Sequence, residues 1–178
     1  MIDMRIKSDF EYIWLNKVVC NIPCWTVRKL IYKRHGMKIE KNSRIGIGTI
    51  IVCPSGISIG DRTTINEYCF LDGRGGLHIG HDCSVSAYSK IISASHYLNS
   101  NSFKYYERKT FISDYVWIGI GAIILDGSVL EEKSVVGAGA VLKGKAESGR
   151  VYIGNPAKAI KKRKLDKGYV LNYKPYFR

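Results

Sequence analysis

The chain has 178 residues, of which 46% are hydrophobic and 24% charged, and this composition predicts one globular domain with a sizeable core. It contains no run of 18 uncharged apolar residues, no signal-peptide pattern and no CxxC pair among its five cysteines, so we expect a cytoplasmic protein without a disulfide or zinc framework. The net charge of +13 comes with no motif for reading nucleic-acid grooves or bases, which argues against nucleic acid as a partner.

The first predicted element is an N-terminal helical segment, residues 1–36. Residues 12–36 (YIWLNKVVCNIPCWTVRKLIYKRHG) place apolar side chains at helical intervals around a break at Pro23, and Gly36 is suited to end the second helix. We expect these helices to cover the open end of the following domain and to protect its strand edges. Residues 1–41 carry nine Lys/Arg against four Asp/Glu, so a basic amphipathic anchor on the inner membrane face is the alternative.

Aliphatic residues recur at every sixth position in the central part of the chain. The series are Ile39, Ile45 and Ile51; Ile59, Ile65 and Leu71; Ile79, Val85 and Ile91; and Ile112, Ile118, Ile124, Leu130, Val136 and Leu142. A period of six fits neither a helix nor a lone strand, but it suits a short strand and a corner repeated three times per turn of a solenoid. Fifteen such positions predict about five coils in a domain spanning residues 37–154.

The six-residue period shifts to eight residues between Ile51 and Ile59 and between Leu71 and Ile79, and its one long interruption, between Ile91 and Ile112, is an inserted loop at about residues 95–110. A loop of this length in a compact fold is usually functional. His96 lies at its root, where the rigid coil would hold one side of the loop. An imidazole can take a proton from a hydroxyl near neutral pH, so His96 is a candidate general base, with a solvated loop histidine as the alternative.

The last predicted element is a short helix in residues 155–164 (NPAKAIKKRK) that begins at Pro156, followed by a basic tail, the two together spanning residues 155–178. Residues 143–178 carry eleven Lys/Arg against two Asp/Glu. This excess predicts a phosphate-bearing ligand at this end of the domain.

Five segments of the chain carry a resemblance to a known family. They are residues 59–76, 93–96 (SASH), 114–125 (DYVWIGIGAIIL), 134–142 (SVVGAGAVL) and 153–162 (IGNPAKAIKK). Together they resemble the hexapeptide-repeat acyltransferases, and most closely the maltose/galactoside O-acetyltransferases and the capsular or exopolysaccharide O-acetyltransferases.

This resemblance implies an all-β fold, a left-handed parallel β-helix, assembled as a homotrimer with active sites between neighbours. It also implies transfer of an acetyl group from acetyl coenzyme A, as co-substrate and without a required metal, to a saccharide hydroxyl. Bacterial surface-polysaccharide biosynthesis is the expected setting. The maltose enzymes have a long N-terminal acceptor-binding segment that is not recognisable here, which favours a saccharide polymer or its lipid-linked precursor as acceptor.

Carried over by position, the resemblance makes His96 the general base and Asn66 and Asp72 acceptor-binding residues. The positions that match coenzyme A-binding residues are Trp117, Ile120, Ala138, Lys143, Lys158 and Lys161. Ordinary structural roles compete with these assignments: a corner bond for Asn66, an Asp-Gly turn for Asp72, and subunit packing for Trp117. The segment KGKAESG departs from the family pattern, so either Lys143 or Lys145 would replace its usual lysine.

Three other functions fit parts of the sequence. The same fold could acetylate serine or an amino-sugar nitrogen. His78, His81 and His96 could instead hold zinc, as in the carbonic anhydrases built on this solenoid, because His78 and His96 are 18 residues apart and would stack in an uninterrupted coil. A non-catalytic scaffold would bind no coenzyme A and would have no use for His96.

Overall fold

The six-residue repeat forms a parallel β-helix in the computed structural model, which describes residues 4–165 and 167–172. Most repeats supply a strand of two or three residues followed by a corner, and three successive strands lie on three different sheets of a prism. The β-helix is left-handed, as the resemblance implied.

The strands are grouped by sheet. The first sheet contains β1 (Lys38–Ile39), β4 (Ile57–Ile59), β7 (Leu77–Ile79), β12 (Thr110–Ile112), β15 (Val129–Leu130) and β18 (Lys145–Ala146). The second contains β2 (Arg44–Ile45), β5 (Thr64–Ile65), β8 (Ser84–Val85), β13 (Trp117–Ile118), β16 (Val135–Val136), β19 (Arg150–Ile153) and β20 (Lys158–Lys162). The third contains β3 (Ile50–Val52), β6 (Phe70–Asp72), β9 (Lys90–Ile91), β14 (Ile123–Ile124) and β17 (Val141–Leu142). A separate hairpin pairs β10 (Ala94–His96) with β11 (Tyr105–Glu107).

The register between coils confirms the predicted solenoid. Ile65 pairs with Ile45 on one side and Val85 on the other, and Ile118 continues this stack from Val85 to Val136. All five side chains are buried, with at most 1% of their surface exposed. The core is therefore a column of aliphatic side chains, one from each coil on each sheet.

The predicted coil count was one too low, since the structure has about six turns. The regular aliphatic series ends at Leu142, but Ala146 and Tyr152 fill the next inward positions and are buried. The final turn is hard to recognise in the sequence because these positions hold a small residue and an aromatic residue, and because Ala146 follows Leu142 by four residues instead of six.

The N-terminal helices are present as predicted. Helix α1 (Met4–Ile13) continues through a π-helical turn (Trp14–Val18) and a 3-10 turn (Val19–Asn21), and helix α2 (Trp25–Arg34) follows the break at Pro23. Gly36 follows α2 with a φ of +89°, a conformation that glycine adopts without strain. No helix in the described part of the chain is long and apolar enough to cross a membrane.

The N-terminal segment seals the open edge of the first coil. The buried Asn16 amide donates to the Ile51 carbonyl at 2.8 Å and accepts from the Ile51 N–H at 2.7 Å, so it pairs with β3 as a further strand would. The fully buried Arg28 donates to the Ile45 carbonyl of β2 at 2.8 Å. These bonds satisfy edge groups that would otherwise be unpaired.

The predicted C-terminal helix was wrong. Residues 154–157 form a turn, and β20 runs antiparallel to β19, with Ile153 opposite Lys158 and Arg150 opposite Lys162. The physical reason is the edge of the last coil, where β19 exposes unpaired backbone groups that a returning strand satisfies and a helix does not. Of the predicted basic tail, Asp166 and residues 173–178 lie outside the described residues.

Replacing Asn16 with leucine removes both partners of the buried Ile51 backbone, so we expect the free energy of unfolding to fall by about 2–4 kcal/mol. The matched control is Asn21→Leu, because Asn21 donates to the Lys17 carbonyl on the exposed side of the same segment. That change should cost at most about 0.5 kcal/mol. Urea unfolding followed by circular dichroism compares the variants, and equal losses would contradict the edge-sealing role.

Candidate functional site

The insertion between β9 and β12 is a structured hairpin rather than an irregular loop. Ala94 pairs with Glu107, Ser95 with Tyr106, and His96 with Tyr105. Because successive side chains of a strand point to opposite sides, the hairpin has two faces of different chemistry.

One side, here called the His96 face, consists of His96, Phe103 and Tyr105. The imidazole stacks on the Phe103 ring at a centroid distance of 3.9 Å and meets the edge of Tyr105 at 5.6 Å. Its Nδ1 lies 2.7 Å from the Phe103 carbonyl oxygen. A carbonyl can only accept, so Nδ1 carries the hydrogen and Nε2 is the unprotonated nitrogen of the neutral ring. This arrangement suits a general base that acts through Nε2.

Arg74 lies beside the His96 face and was missed in the sequence. Its guanidinium is 5.9 Å from the centre of the Tyr105 ring and donates to both carboxylate oxygens of Asp72, at 2.9 and 3.0 Å. Its position, two residues after Asp72 within residues 59–76, could have identified it, because this segment is one of those that resemble the acyltransferase family.

Asp72 is fully buried, and its carboxylate also accepts from the backbone N–H groups of Arg74 and Ser93, each at 3.1 Å. Burial acts to raise the pKa of Asp72, but the bonds from Arg74 and Ser93 outweigh it and hold the pKa below its ordinary value. The carboxylate therefore remains charged and orients Arg74, and Arg74 is the group that reaches the surface.

The opposite side of the hairpin, here called the cationic face, consists of Tyr97, Lys104, Tyr106 and Arg108. The two tyrosine rings lie 4.6 Å apart, Arg108 is 4.6 Å from the centre of Tyr106, and Lys104 is 6.0 Å from that of Tyr97. The face borders a cleft of about 660 Å³.

Two of the predicted site residues, His96 and Lys143, also border this cleft. Lys143 comes from the corner that follows β17, two coils beyond the start of the hairpin. Lys145 is instead paired with Glu131 at 2.7 Å. Of the two lysines that could replace the family's usual one, Lys143 is therefore the one placed at the candidate site.

Trp117 and Lys161 border a second groove, of about 480 Å³, on the second sheet. The indole of Trp117 is 48% exposed and donates to the Ser86 hydroxyl at 3.3 Å. Lys158 is exposed on β20 but does not border this groove. The turn and β20 thus bring one of the two predicted tail lysines to Trp117.

Asn66, Ile120 and Ala138 lie along the corner between the second and third sheets. Ile120 and Ala138 are exposed, and the coils that carry them are joined there by a bond from the Gly139 N–H to the Ile120 carbonyl at 2.9 Å. Asn66 lies on an earlier coil, where its amide donates to the Val85 carbonyl at 2.9 Å. Asn66 therefore has a structural bond, and its amide oxygen is the part left for an acceptor.

A single chain does not gather all of the predicted residues. The hairpin projects from the corner between the third and first sheets, whereas Trp117 and Lys161 lie on the second sheet, which is the prism face opposite that corner.

The three histidines considered as zinc ligands are engaged separately. His78 bonds the Ser58 hydroxyl at 3.0 Å and stacks on Phe111, and His81 accepts from the Asp61 N–H at 2.9 Å. Within residues 4–165 and 167–172 of one chain, no three His, Cys, Asp or Glu side chains cluster as a metal site would require.

Comparison with known proteins gives related enzymes, although no protein-family model matches the chain. The chain is 31% identical over 138 residues to the dTDP-4-amino-4,6-dideoxy-D-glucose acyltransferase of Escherichia coli, a match covering 60% of this chain and 72% of that protein. It superposes on a hexapeptide-repeat acetyltransferase of Vibrio cholerae complexed with acetyl coenzyme A, with a TM-score of 0.81, 23% identity, and 92% and 91% of the two chains covered. A maltose O-acetyltransferase of Clostridium difficile 630 gives a TM-score of 0.81 at 25% identity, over 92% and 90%.

Proposed function

Because the chain belongs to the hexapeptide-repeat acyltransferase family, we propose that it transfers an acetyl group from acetyl coenzyme A to a saccharide hydroxyl, with His96 as general base. The observation that carries the assignment of His96 is the bond between its Nδ1 and the Phe103 carbonyl, at 2.7 Å. This bond fixes the ring so that Nε2 is available to a substrate.

In the proposed reaction, Nε2 of His96 takes the proton of the acceptor hydroxyl as the oxygen attacks the thioester carbonyl. Backbone N–H groups of a neighbouring coil would stabilise the negative charge that develops on the carbonyl oxygen. When the carbon–sulfur bond breaks, the imidazolium returns the proton to the departing thiolate of coenzyme A. The bond to Phe103 persists throughout, because Nδ1 remains a donor in both protonation states.

The donor is proposed to lie along the second sheet and the corner next to it. Trp117 would contact the reactive end of coenzyme A, Ile120 and Ala138 would offer backbone groups to its pantetheine arm, and basic side chains would meet its phosphates. The basic residues assigned to this role are Lys143, Lys158 and Lys161. Exposure of all six residues supports this path.

A homotrimer would complete this site. Apart from Lys143, which borders the hairpin cleft, the donor residues of one chain face away from its own hairpin, so the hairpin of a neighbouring copy would supply His96. Closed threefold symmetry suits the flat faces of the prism.

The acceptor site is proposed on the His96 face, with Asn66 contributing from the corner and Asp72 acting through Arg74. A saccharide in bacterial surface-polysaccharide biosynthesis, modified in the cytoplasm, is the proposed setting. An amino-sugar nitrogen is a second candidate acceptor, favoured by the amino sugar in the name of the Escherichia coli relative. The same base would take a proton from that nitrogen.

We expect His96→Ala to lower turnover by about 100-fold or more, because general-base catalysis typically contributes at least that factor. Thiol release from acetyl coenzyme A, measured across mono-, oligo-, nucleotide- and lipid-linked saccharides, gives the rate. The matched control is His81→Ala, an exposed histidine outside the site, which should retain nearly full activity. Near-wild-type turnover in His96→Ala would refute the base, and thiol release with none of the saccharides would refute the acetyltransferase assignment.

The exposed face of the N-terminal helices is proposed to contact an anionic membrane. Ile13 and Trp14 lie three and four residues after Phe10, and Val18 lies four residues after Trp14; all four are exposed, as is Lys17. Helix α2 adds the exposed Val27 and Leu30, and its last turn carries the exposed Lys33 and Arg34. An apolar strip flanked by cations suits a negatively charged lipid surface.

Ile13→Glu should weaken binding to vesicles containing phosphatidylglycerol by about tenfold, since it removes an apolar side chain that would insert into the lipid and adds a charge that the lipid repels. Vesicle sedimentation measures the effect. Val129→Glu, which alters an exposed valine on the solenoid, should leave binding unchanged. Absence of wild-type binding, or equal binding by Ile13→Glu, would contradict the membrane contact.

A further inference from the structure

The cationic face of the hairpin carries groups that the proposed acetyl transfer does not use. Lys104, Tyr106 and Arg108 alternate along one edge of the hairpin, so their side chains share one side of it. Tyr97 joins them from the partner strand, where its N–H donates to the Lys104 carbonyl at 2.9 Å.

The side chains that line this cleft carry a net positive charge. Lys104, Arg108 and Lys143 border it, and none of the described residues that line it is acidic. The carboxylate of Asp126 is 5% exposed and lies 4.0 Å from Arg108, so it steers the guanidinium without filling the cleft. Two exposed cations on one short hairpin form a site for a phosphate group, and the guanidinium can bind phosphate in a bidentate manner.

The tyrosines add a second kind of recognition. Tyr97 and Tyr106 lie 4.6 Å apart at an angle of 51°, and Tyr97 is 45% exposed. Aromatic side chains next to cations bind nucleotides by stacking on the base while the cations hold the phosphates. The cleft volume of about 660 Å³ lies within the range of small-molecule sites.

We infer that the cationic face binds the nucleoside diphosphate of a nucleotide-activated sugar, and that this sugar is the acceptor. The inference rests on the proposed function and deepens it by naming the acceptor class. His96 borders the same cleft, so a sugar attached to the diphosphate can extend around the hairpin edge to Nε2. Of the six residues assigned to coenzyme A, only Lys143 borders this cleft.

Calorimetric titration of the protein with dTDP, inorganic diphosphate and coenzyme A tests the inference. Arg108→Gln and Lys104→Met should each weaken dTDP binding by about tenfold, since each removes a charge-assisted bond to phosphate. Tyr97→Ala should lower the affinity for dTDP but leave the affinity for inorganic diphosphate unchanged. Affinity for coenzyme A should stay within about twofold in all three variants.

Lys109→Met is the matched control. Lys109 is exposed on the same hairpin, but its side chain lies over Phe111, 5.8 Å from the ring centre, and does not border the cleft. Its dTDP affinity should equal that of the wild type. Thermal melting of each variant shows that the fold is retained.

The inference is overturned if the wild-type protein does not bind dTDP, or if Arg108→Gln and Lys104→Met bind it with wild-type affinity. It is also overturned if the affinity of these variants for coenzyme A falls as much as their affinity for dTDP. The last result would make the face a donor site. Thiol release from acetyl coenzyme A separates this failure from that of the proposed function. If acetyl is transferred to a free saccharide and the variants bind dTDP with wild-type affinity, only the inference is refuted. If dTDP binds but no acetyl transfer occurs, the acetyltransferase assignment is refuted.

Discussion

The column of aliphatic side chains at every sixth residue is the interaction on which the rest of this structure depends. Strands of two or three residues are too short to be stable through hydrogen bonding alone. Each is held because its inward side chain, such as Ile65 or Ile118, is buried against those of the coils on either side, which contributes about 1.5–3 kcal/mol per side chain. The same column fixes the register, so corners recur on three edges and residues of successive coils lie side by side.

The hairpin can position functional groups because the chain leaves the aliphatic column at one end of it and rejoins the column at the other. Ile91 and Ile112, on either side of it, are both fully buried, and the Thr110 hydroxyl closes its base by donating to the Ile92 carbonyl at 2.8 Å. A short ribbon fixed at both ends can hold an imidazole in one tautomer on one face and cations on the other. Catalytic groups on rigid supports keep the geometry that proton transfer needs.

The sequence predicted the features that are repeated and missed those that depend on edges. The period of six predicted the coils, and its one long interruption predicted where His96 would lie. The helix expected from Pro156 became a strand because the unpaired edge of β19 outweighs the local pattern. The two faces of the hairpin, and the place of Arg74 beside one of them, could not be predicted, since they depend on pairings such as His96 with Tyr105 that a loop sequence does not encode in a period. The final coil was missed because Ala146 and Tyr152 are not aliphatic residues of the regular series.

The central claim is that Nε2 of His96 is the basic atom, and its most direct test is the tautomer of that ring. Nitrogen NMR of protein with isotope-labelled histidine, at about pH 9 where an ordinary imidazole is neutral, reports which nitrogen carries the hydrogen. The His96 signals are those lost in His96→Ala among the four histidines of the chain. The account predicts hydrogen on Nδ1 and an unprotonated Nε2; hydrogen on Nε2 would contradict it.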